Sequence, residues 1–82
     1  MPIASIVVRT KDDCLEEVVD QVKQYEGVSI SDIGRDKFIV VSETETREQD
    51  KNLWERLEAV PGVLKVDLIY YNFEDLEEET HG

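Results

Sequence analysis

The chain has 82 residues, which is enough for one small folded domain and too few for a second. Twenty acidic residues against nine basic ones give a net charge of −11, which disfavours nucleic acid or an anionic membrane as a partner because phosphates would be repelled. A basic partner suits this charge, although acidity also serves solubility alone. The single cysteine, Cys14, excludes an internal disulfide and is compatible with the cytosol.

The start of the chain, "MPIASIVVRTK", lacks a basic segment and has only a short apolar run. It therefore predicts neither an export signal nor a membrane segment. We expect a cytoplasmic protein without membrane insertion.

The first strand and the first helix are predicted from a change in periodicity. The β-branched run "IASIVVR" (residues 3–9) has strand length, and residues 11–27 then follow a helical period. Asp12 or Asp13 is expected to cap the helix, and Gly27 to end it in the left-handed conformation. The apolar stripe of this helix comprises Leu15, Val18, Val19, Val22 and Tyr25.

A hairpin follows the first helix. Residues 28–33 alternate as a strand does, residues 34–36 ("GRD") have turn chemistry, and residues 37–43 ("KFIVVSE") predict the partner strand.

The second half of the chain repeats the helix and strand. Thr46 and Gln49 match a capping box at the start of a second helix, and "PGV" ends it. Residues 63–71 predict the last strand, and residues 74–82 a solvated, flexible acidic tail. The stripe of the second helix comprises Leu53, Trp54, Leu57 and Val60.

The element order β-α-β-β-α-β predicts the α+β class. Two similar β-α-β units, each crossing over right-handed, interleave into a four-stranded antiparallel sheet with both helices on one face. This is the ferredoxin-like architecture, with the first and third strands central. We expect one such domain over residues 1–73, followed by the tail.

The two faces of the sheet are assigned from the hairpin. A loop at Gly34-Arg35 places Ile30 opposite Ile39 and directs both toward the helices. Other side chains expected on that side are Ile6, Val8, Val28, Val41, Val66, Leu68 and Tyr70. A loop error of one residue would invert the third strand, because side chains alternate with a period of two.

The opposite face is predicted to carry a contiguous apolar patch, which usually marks a docking surface. Its alternatives are strand propensity alone, or the tail folded back over the patch. The candidate binding residues are Ser5, Val7, Arg9, Phe38, Val40, Ile69 and Tyr71.

The sequence gives little support to the metal-binding, RNA-binding or catalytic functions that proteins of this architecture can have. One cysteine is too few for a metal-carrying first loop, and Phe38 alone at a charge of −11 argues against RNA binding. Arg9 is followed by two acids, which would repel a phosphate. The one histidine, His81, lies in the tail, far along the chain from Cys14. We therefore expect no enzyme activity, no metal and no cofactor.

Three segments together resemble the NapD family: "ASIVVRTK", "EGVSISDIGRDKFIVVSETE" and "LEAVPGVLKVDLIYYNFEDLEEE". The resemblance implies a ferredoxin-like cytoplasmic chaperone for the catalytic subunit of periplasmic nitrate reductase. Such a chaperone binds the twin-arginine signal peptide of that subunit and holds back export until the molybdenum cofactor has been inserted.

The sequence leaves open how the peptide is held and which rival functions apply. The peptide could lie across the sheet as a helix, which we favour, or add to an edge strand. A monomer is expected, because a constitutive dimer through the open sheet would leave no face for a peptide. The rival functions are an ACT-like regulatory module that binds a small ligand and a plain dimerisation domain.

Overall fold

Six elements follow one another in the predicted order of strand, helix, strand, strand, helix, strand. A computed structural model describes residues 2–73 of the chain. The predicted flexible tail at 74–82 lies outside the described residues. The elements are β1 (Pro2–Thr10), α1 (Leu15–Val22), β2 (Val28–Ser31), β3 (Lys37–Glu43), α2 (Arg47–Ala59) and β4 (Val63–Phe73).

The four strands form one antiparallel sheet in the order β2-β3-β1-β4. The prediction that the first and third strands are central is therefore confirmed. Antiparallel partners related by two crossover helices are the ferredoxin-like arrangement, so the predicted fold class is confirmed as well.

The core lies between one face of the sheet and the two helices. It is built from alternate residues of the strands and from the apolar stripes of the helices, as their periodicities require. Each large side chain buried here contributes about 1.5–3 kcal/mol. The buried hydrophobic residues are Ala4, Ile6, Val8, Val18, Val22, Phe38, Val40, Leu53, Leu57, Val60 and Val66.

The first helix is shorter than the sequence predicts. Cys14, and not Asp12 or Asp13, occupies the N-cap position and makes no side-chain cap bond. The reason is a turn before the helix, in which the Cys14 N–H donates to the carbonyl of Lys11 at 3.0 Å. Gly27 has the predicted left-handed conformation, at a φ of 76°, but it does not end the helix, because α1 ends at Val22 with Lys23 as its C-cap.

The start of α2 carries the predicted cap in a slightly different form. The Thr46 hydroxyl accepts the N–H of Gln49 at 3.1 Å, as a capping residue does. The Gln49 side chain accepts the N–H of Glu45 at 2.7 Å instead of the N–H of Thr46. Both bonds satisfy backbone donors at the beginning of the helix.

The predicted phase of β3 is wrong. Ile30 pairs with Val40, and Val28 with Ser42, one residue away from the predicted register. The hairpin loop begins with Asp32 in the left-handed region, at a φ of 48°, and is longer than a Gly34-Arg35 turn. Because side chains alternate, the shift exchanges the two faces of β3.

Phe38 and Val40 consequently point into the core, where both are fully buried, and they do not belong to the open face. Ile39 and Val41, which were expected to face the helices, lie on the opposite side and stay partly exposed.

The predicted alternation of β4 is correct up to Leu68 and wrong after it. Leu68 pairs on β1 with Ile6, whereas Tyr70 pairs with Ser5, so Ile69 is an extra residue in β4. Such a bulge inverts the alternation that follows it. Tyr71 therefore lies on the helix side, where its hydroxyl donates to Asp50 Oδ2 at 3.0 Å, and Tyr70 lies on the open side.

Two adjacent valines test the phase of β3. We expect Val40→Ala to lower the free energy of unfolding by about 2 kcal/mol, because it removes fully buried methyl groups and leaves a cavity. Val41→Ala makes the same chemical change at a partly exposed site and should cost less than about 1 kcal/mol. Urea denaturation measures both values. A greater loss for Val41→Ala would show that the predicted phase was right after all.

Two glycines test the packing of the loop before β4 against α1. Gly62 has a φ of 97°, and a Cβ there would lie 2.8 Å from Cys14 Cβ. We expect Gly62→Ala to destabilise the protein by about 1–3 kcal/mol through backbone strain and this overlap. Gly34 is the control, because a Cβ there meets only ordinary contacts at 3.5 Å or more. Thermal unfolding should show Gly34→Ala as neutral or slightly stabilising; equal losses would contradict the packing at Gly62.

Candidate functional site

The open face, meaning the side of the sheet away from the helices, carries an apolar strip between charged ends. Val7 pairs with Ile39 across the two central strands, and Ser5 pairs with Val41 on one side and with Tyr70 on the other. We define the apolar strip as Val7, Ile39, Val41 and Tyr70. The first three are partly exposed, and Tyr70 is 52% exposed.

One end of the open face is basic. Arg9 pairs with Lys37 on β3 and with Lys65 on β4, so three cations form a row across three strands. All three are exposed. Asp67, whose carboxylate lies 3.8 Å from Lys65 Nζ, offsets part of this charge. We call Arg9, Lys37 and Lys65 the basic row.

The other end of the open face is acidic. Glu43 is exposed and pairs with Ile3, six residues along β1 from Arg9. Glu43 also lines a cavity toward the helix side, together with Glu26, Glu45 and the α2 residue Arg56. The open face thus has a charge gradient along its strands.

The edge strand β4 carries most of the large apolar side chains that remain exposed. Of the six such residues in the described part of the chain, all but Ile33 belong to β4. Exposed apolar groups gathered on one strand are typical of a docking surface. They are Leu64, Leu68, Ile69, Tyr70 and Tyr71.

The predicted site residues are only partly brought together. Ser5, Val7 and Arg9 lie on the open face as expected, and Ile69 lies beside them at the bulge, 55% exposed. Phe38 and Val40 lie in the core, and Tyr71 lies on the helix side. Whether any of these residues binds a peptide stays a prediction.

The residues that the prediction missed are Ile39, Val41 and Tyr70. Hydrophobicity alone could not choose between Phe38 with Val40 and Ile39 with Val41, because both pairs are apolar. The odd-numbered residues of β3 begin with Lys37 and end with Glu43. Because charged side chains avoid a core, these two charges indicate that the odd-numbered residues face solvent. Nothing comparable marks the bulge that moves Tyr70 to the open side.

A groove separates α2 from β4 on the helix side. It encloses about 570 Å³ and has a largely apolar floor that includes Ala4, Ile6 and Leu68. The buried Ser42 hydroxyl also lines it and has no hydrogen-bond partner among residues 2–73. Tyr71 closes one side, and its pKa is raised by partial burial and by its hydrogen bond to Asp50.

Hydrogen bonds at one side of the groove connect α2 to its neighbours. The Asp50 carboxylate accepts hydrogen bonds from both Tyr71 and Thr44, the second at 2.6 Å, which ties β4 and the loop before α2 to that helix. The Tyr71 hydroxyl thus has a structural role as a donor.

The single thiol, Cys14, lies beside acidic side chains near the start of α1. Partial burial, the hydrogen bond to Asp13 and the charges of Asp13 and Glu17 raise the pKa of Cys14. A reactive cysteine needs the opposite, a lowered pKa in basic surroundings.

Residues 2–73 contain neither a cluster suited to a metal ion nor a membrane-spanning helix. They contain no group of three or more histidine, cysteine, aspartate or glutamate side chains placed to hold a metal ion. In the same part of the chain, no helix combines the length and the apolar character needed to cross a membrane.

Comparison with known proteins gives one consistent family. The family model described as NapD protein matches residues 1–75. The chaperone NapD of Escherichia coli (strain K12) is 34% identical over 80 residues, which cover 95% of this chain and 92% of that protein.

Solved structures agree with this result. The solution structure of the E. coli Tat proofreading chaperone protein NapD superimposes with a TM-score of 0.78 at 28% identity, over 89% of this chain and 79% of that one. A crystal structure of a Thermus thermophilus protein has a TM-score of 0.70 at 14% identity, over 90% and 95% of the two chains, and shows the fold alone. The match of the family model, the sequence identity and the shared fold together show that the chain belongs to the NapD family.

Proposed function

We propose that this protein is a cytoplasmic chaperone that binds the twin-arginine signal peptide of the catalytic subunit of periplasmic nitrate reductase. The bound peptide is withheld from the export machinery until the molybdenum cofactor has been inserted and the subunit has folded. The observation that carries the proposal is the apolar strip between charged ends on the sheet face away from the helices, in a chain of the NapD family.

The strip and the charge complement the two parts of such a peptide. A twin-arginine signal peptide has a basic start followed by an apolar stretch. The net charge of −11 attracts the basic part over a distance and speeds encounter. The strip then accepts the apolar part and supplies affinity by removing both surfaces from water.

Neither contribution suffices alone. Val7, Ile39 and Val41 are already partly shielded, so each gains less on binding than the about 1.5–3 kcal/mol of a fully exposed side chain. Association also costs translational freedom and side-chain ordering. We therefore assign the affinity to three contributions together: the apolar strip, the exposed Ile69 beside it, and charge attraction.

The mechanism is occlusion. A signal peptide held on the sheet cannot enter the translocase at the same time, so binding alone delays export. No bond is made or broken, and the chaperone needs neither a catalytic group nor a cofactor of its own.

A free open face requires that the protein does not use it to dimerise. The repulsion between two chains of charge −11 opposes self-association. Sedimentation of the free protein distinguishes signal-peptide binding from plain dimerisation. A monomer leaves the open face available, whereas a constitutive face-to-face dimer covers it.

A charge placed in the strip tests the site. We expect Val41→Glu to abolish binding of the signal peptide while leaving the fold nearly intact. Val41 is partly exposed, so the introduced carboxylate can stay in water in the free protein but would be buried against the apolar part of the peptide in the complex. Gln21→Glu adds the same charge at an exposed position on α1 and should bind like the wild type. Calorimetry measures the affinities and circular dichroism the fold. A folded Val41→Glu variant with unchanged affinity would place the peptide elsewhere.

Salt tests the electrostatic part. We expect the dissociation constant to rise with ionic strength, because attraction between exposed charges is screened beyond about 8–10 Å near physiological salt. A peptide in which glutamine replaces both arginines is the control and should lose most of this dependence. Calorimetry at low and high salt is the measurement, and an affinity of the natural peptide that does not respond to salt would remove charge from the account.

A further inference from the structure

We propose that the open face imposes a direction on the bound peptide. Its cationic start lies at the end of the sheet that carries Glu43, and its distal end lies at the basic row. The peptide therefore runs in the same direction as β1, from Ile3 toward Arg9. This inference rests on the proposed function and specifies how the client is held.

The basic row is a feature of the open face and not of the protein as a whole. Arg9, Lys37 and Lys65 are three of only nine basic residues in the chain, and the pairing places them side by side. Neighbouring strands are about 4.8 Å apart, so the three Cα atoms lie within about 10 Å.

The side chains of the basic row point away from the core. Each of the three cations is followed or preceded in its strand by a buried residue, namely Val8, Phe38 or Val66. Alternation then directs the cations to the open face. A peptide arginine placed at this end would meet positive charge.

The opposite end attracts cations. Glu43 lies six residues along β1 from the basic row, which is about 20 Å. Its exposed carboxylate is the charge that marks this end of the open face.

The distance between the charged ends suits the client. About 13 residues of helix, or six of extended chain, span 20 Å. A cationic start followed by an apolar stretch of this length can lie on the strip in two directions. Only one direction keeps the arginines away from the basic row and places them beside Glu43.

A helical peptide would favour the same direction for a second reason. The carboxyl end of a helix carries a partial negative charge from its free carbonyl groups. In the proposed direction this end faces Arg9, Lys37 and Lys65, whereas the reverse direction would bring the positive amino end of the helix to them.

Paramagnetic broadening measures the direction. A nitroxide is attached through a thioether to the first or to the last residue of the signal peptide, since a thioether cannot exchange with Cys14. We expect the label at the start to broaden the amide signals of Ile3 and Glu43 in the full-length protein, and the label at the end to broaden those of Arg9 and Lys65. Reduction of the nitroxide provides the diamagnetic reference.

Charge reversals give an independent measurement. Glu43→Lys should weaken binding about two- to fivefold, the range of one exposed ion pair, and Arg9→Glu should strengthen it by a similar factor. Lys51→Glu makes the same change in net charge on the exposed surface of α2 and should alter the affinity less than Arg9→Glu does.

The outcomes separate this inference from the proposed function. Binding with the reversed broadening pattern, or with equal broadening at both ends, overturns the direction and leaves the chaperone role standing. A wild-type protein that does not bind the peptide at all overturns both.

Discussion

The pairing of β1 with β3 determines both the core and the candidate site. Seven consecutive residue pairs, from Ile3 with Glu43 to Arg9 with Lys37, join the two central strands without a break in register. Because side chains alternate along a strand, this one register sends Val8 and Phe38 into the core and Val7 and Ile39 to the open face. A slip of one residue would expose the core and bury the strip.

The alternation of side chains along the strands also explains how apolar and charged residues are divided between the two faces of the sheet. Two helices cover one side of the sheet and use the apolar side chains there to build the core. The other side keeps an apolar strip with the basic row at one end and Glu43 at the other, and Asp67, which pairs with Val7, lies beside the strip. In a domain this small there is no further layer to form an enclosed catalytic site. The open face is therefore the surface on which the proposed binding role rests.

Local patterns in the sequence predicted the elements and the topology well. The cap at Thr46, the left-handed Gly27 and the helical stripes of both helices are formed by neighbours in sequence, which is why they could be recognised. The turn that makes Cys14 the N-cap depends on the exact path of the loop after β1, and sequence patterns do not define that path.

The candidate site was predicted less completely because it depends on long-range register. Val40 and Val41 are the same residue type, so hydrophobicity does not distinguish them, and the length of the 32–36 loop sets which of them pairs with Ile30. The internal similarity of "SIVVRT" and "FIVVSE" aligns Val8 with Val41 and favours the wrong phase. The bulge at Ile69 likewise arises from how β4 fits against β1. The position of the open face was predicted correctly, but three of the four residues of the apolar strip, Ile39, Val41 and Tyr70, were not.

Occupation of the open face by the signal peptide is the central claim, and nuclear magnetic resonance tests it most directly. The backbone amide signals of the protein are followed during titration with the twin-arginine signal peptide. The account predicts that the largest shifts cluster at Ser5, Val7, Ile39, Val41 and Tyr70, while the exposed surfaces of α1 and α2 change little. Shifts concentrated in the groove between α2 and β4, with the open face unaffected, would contradict it.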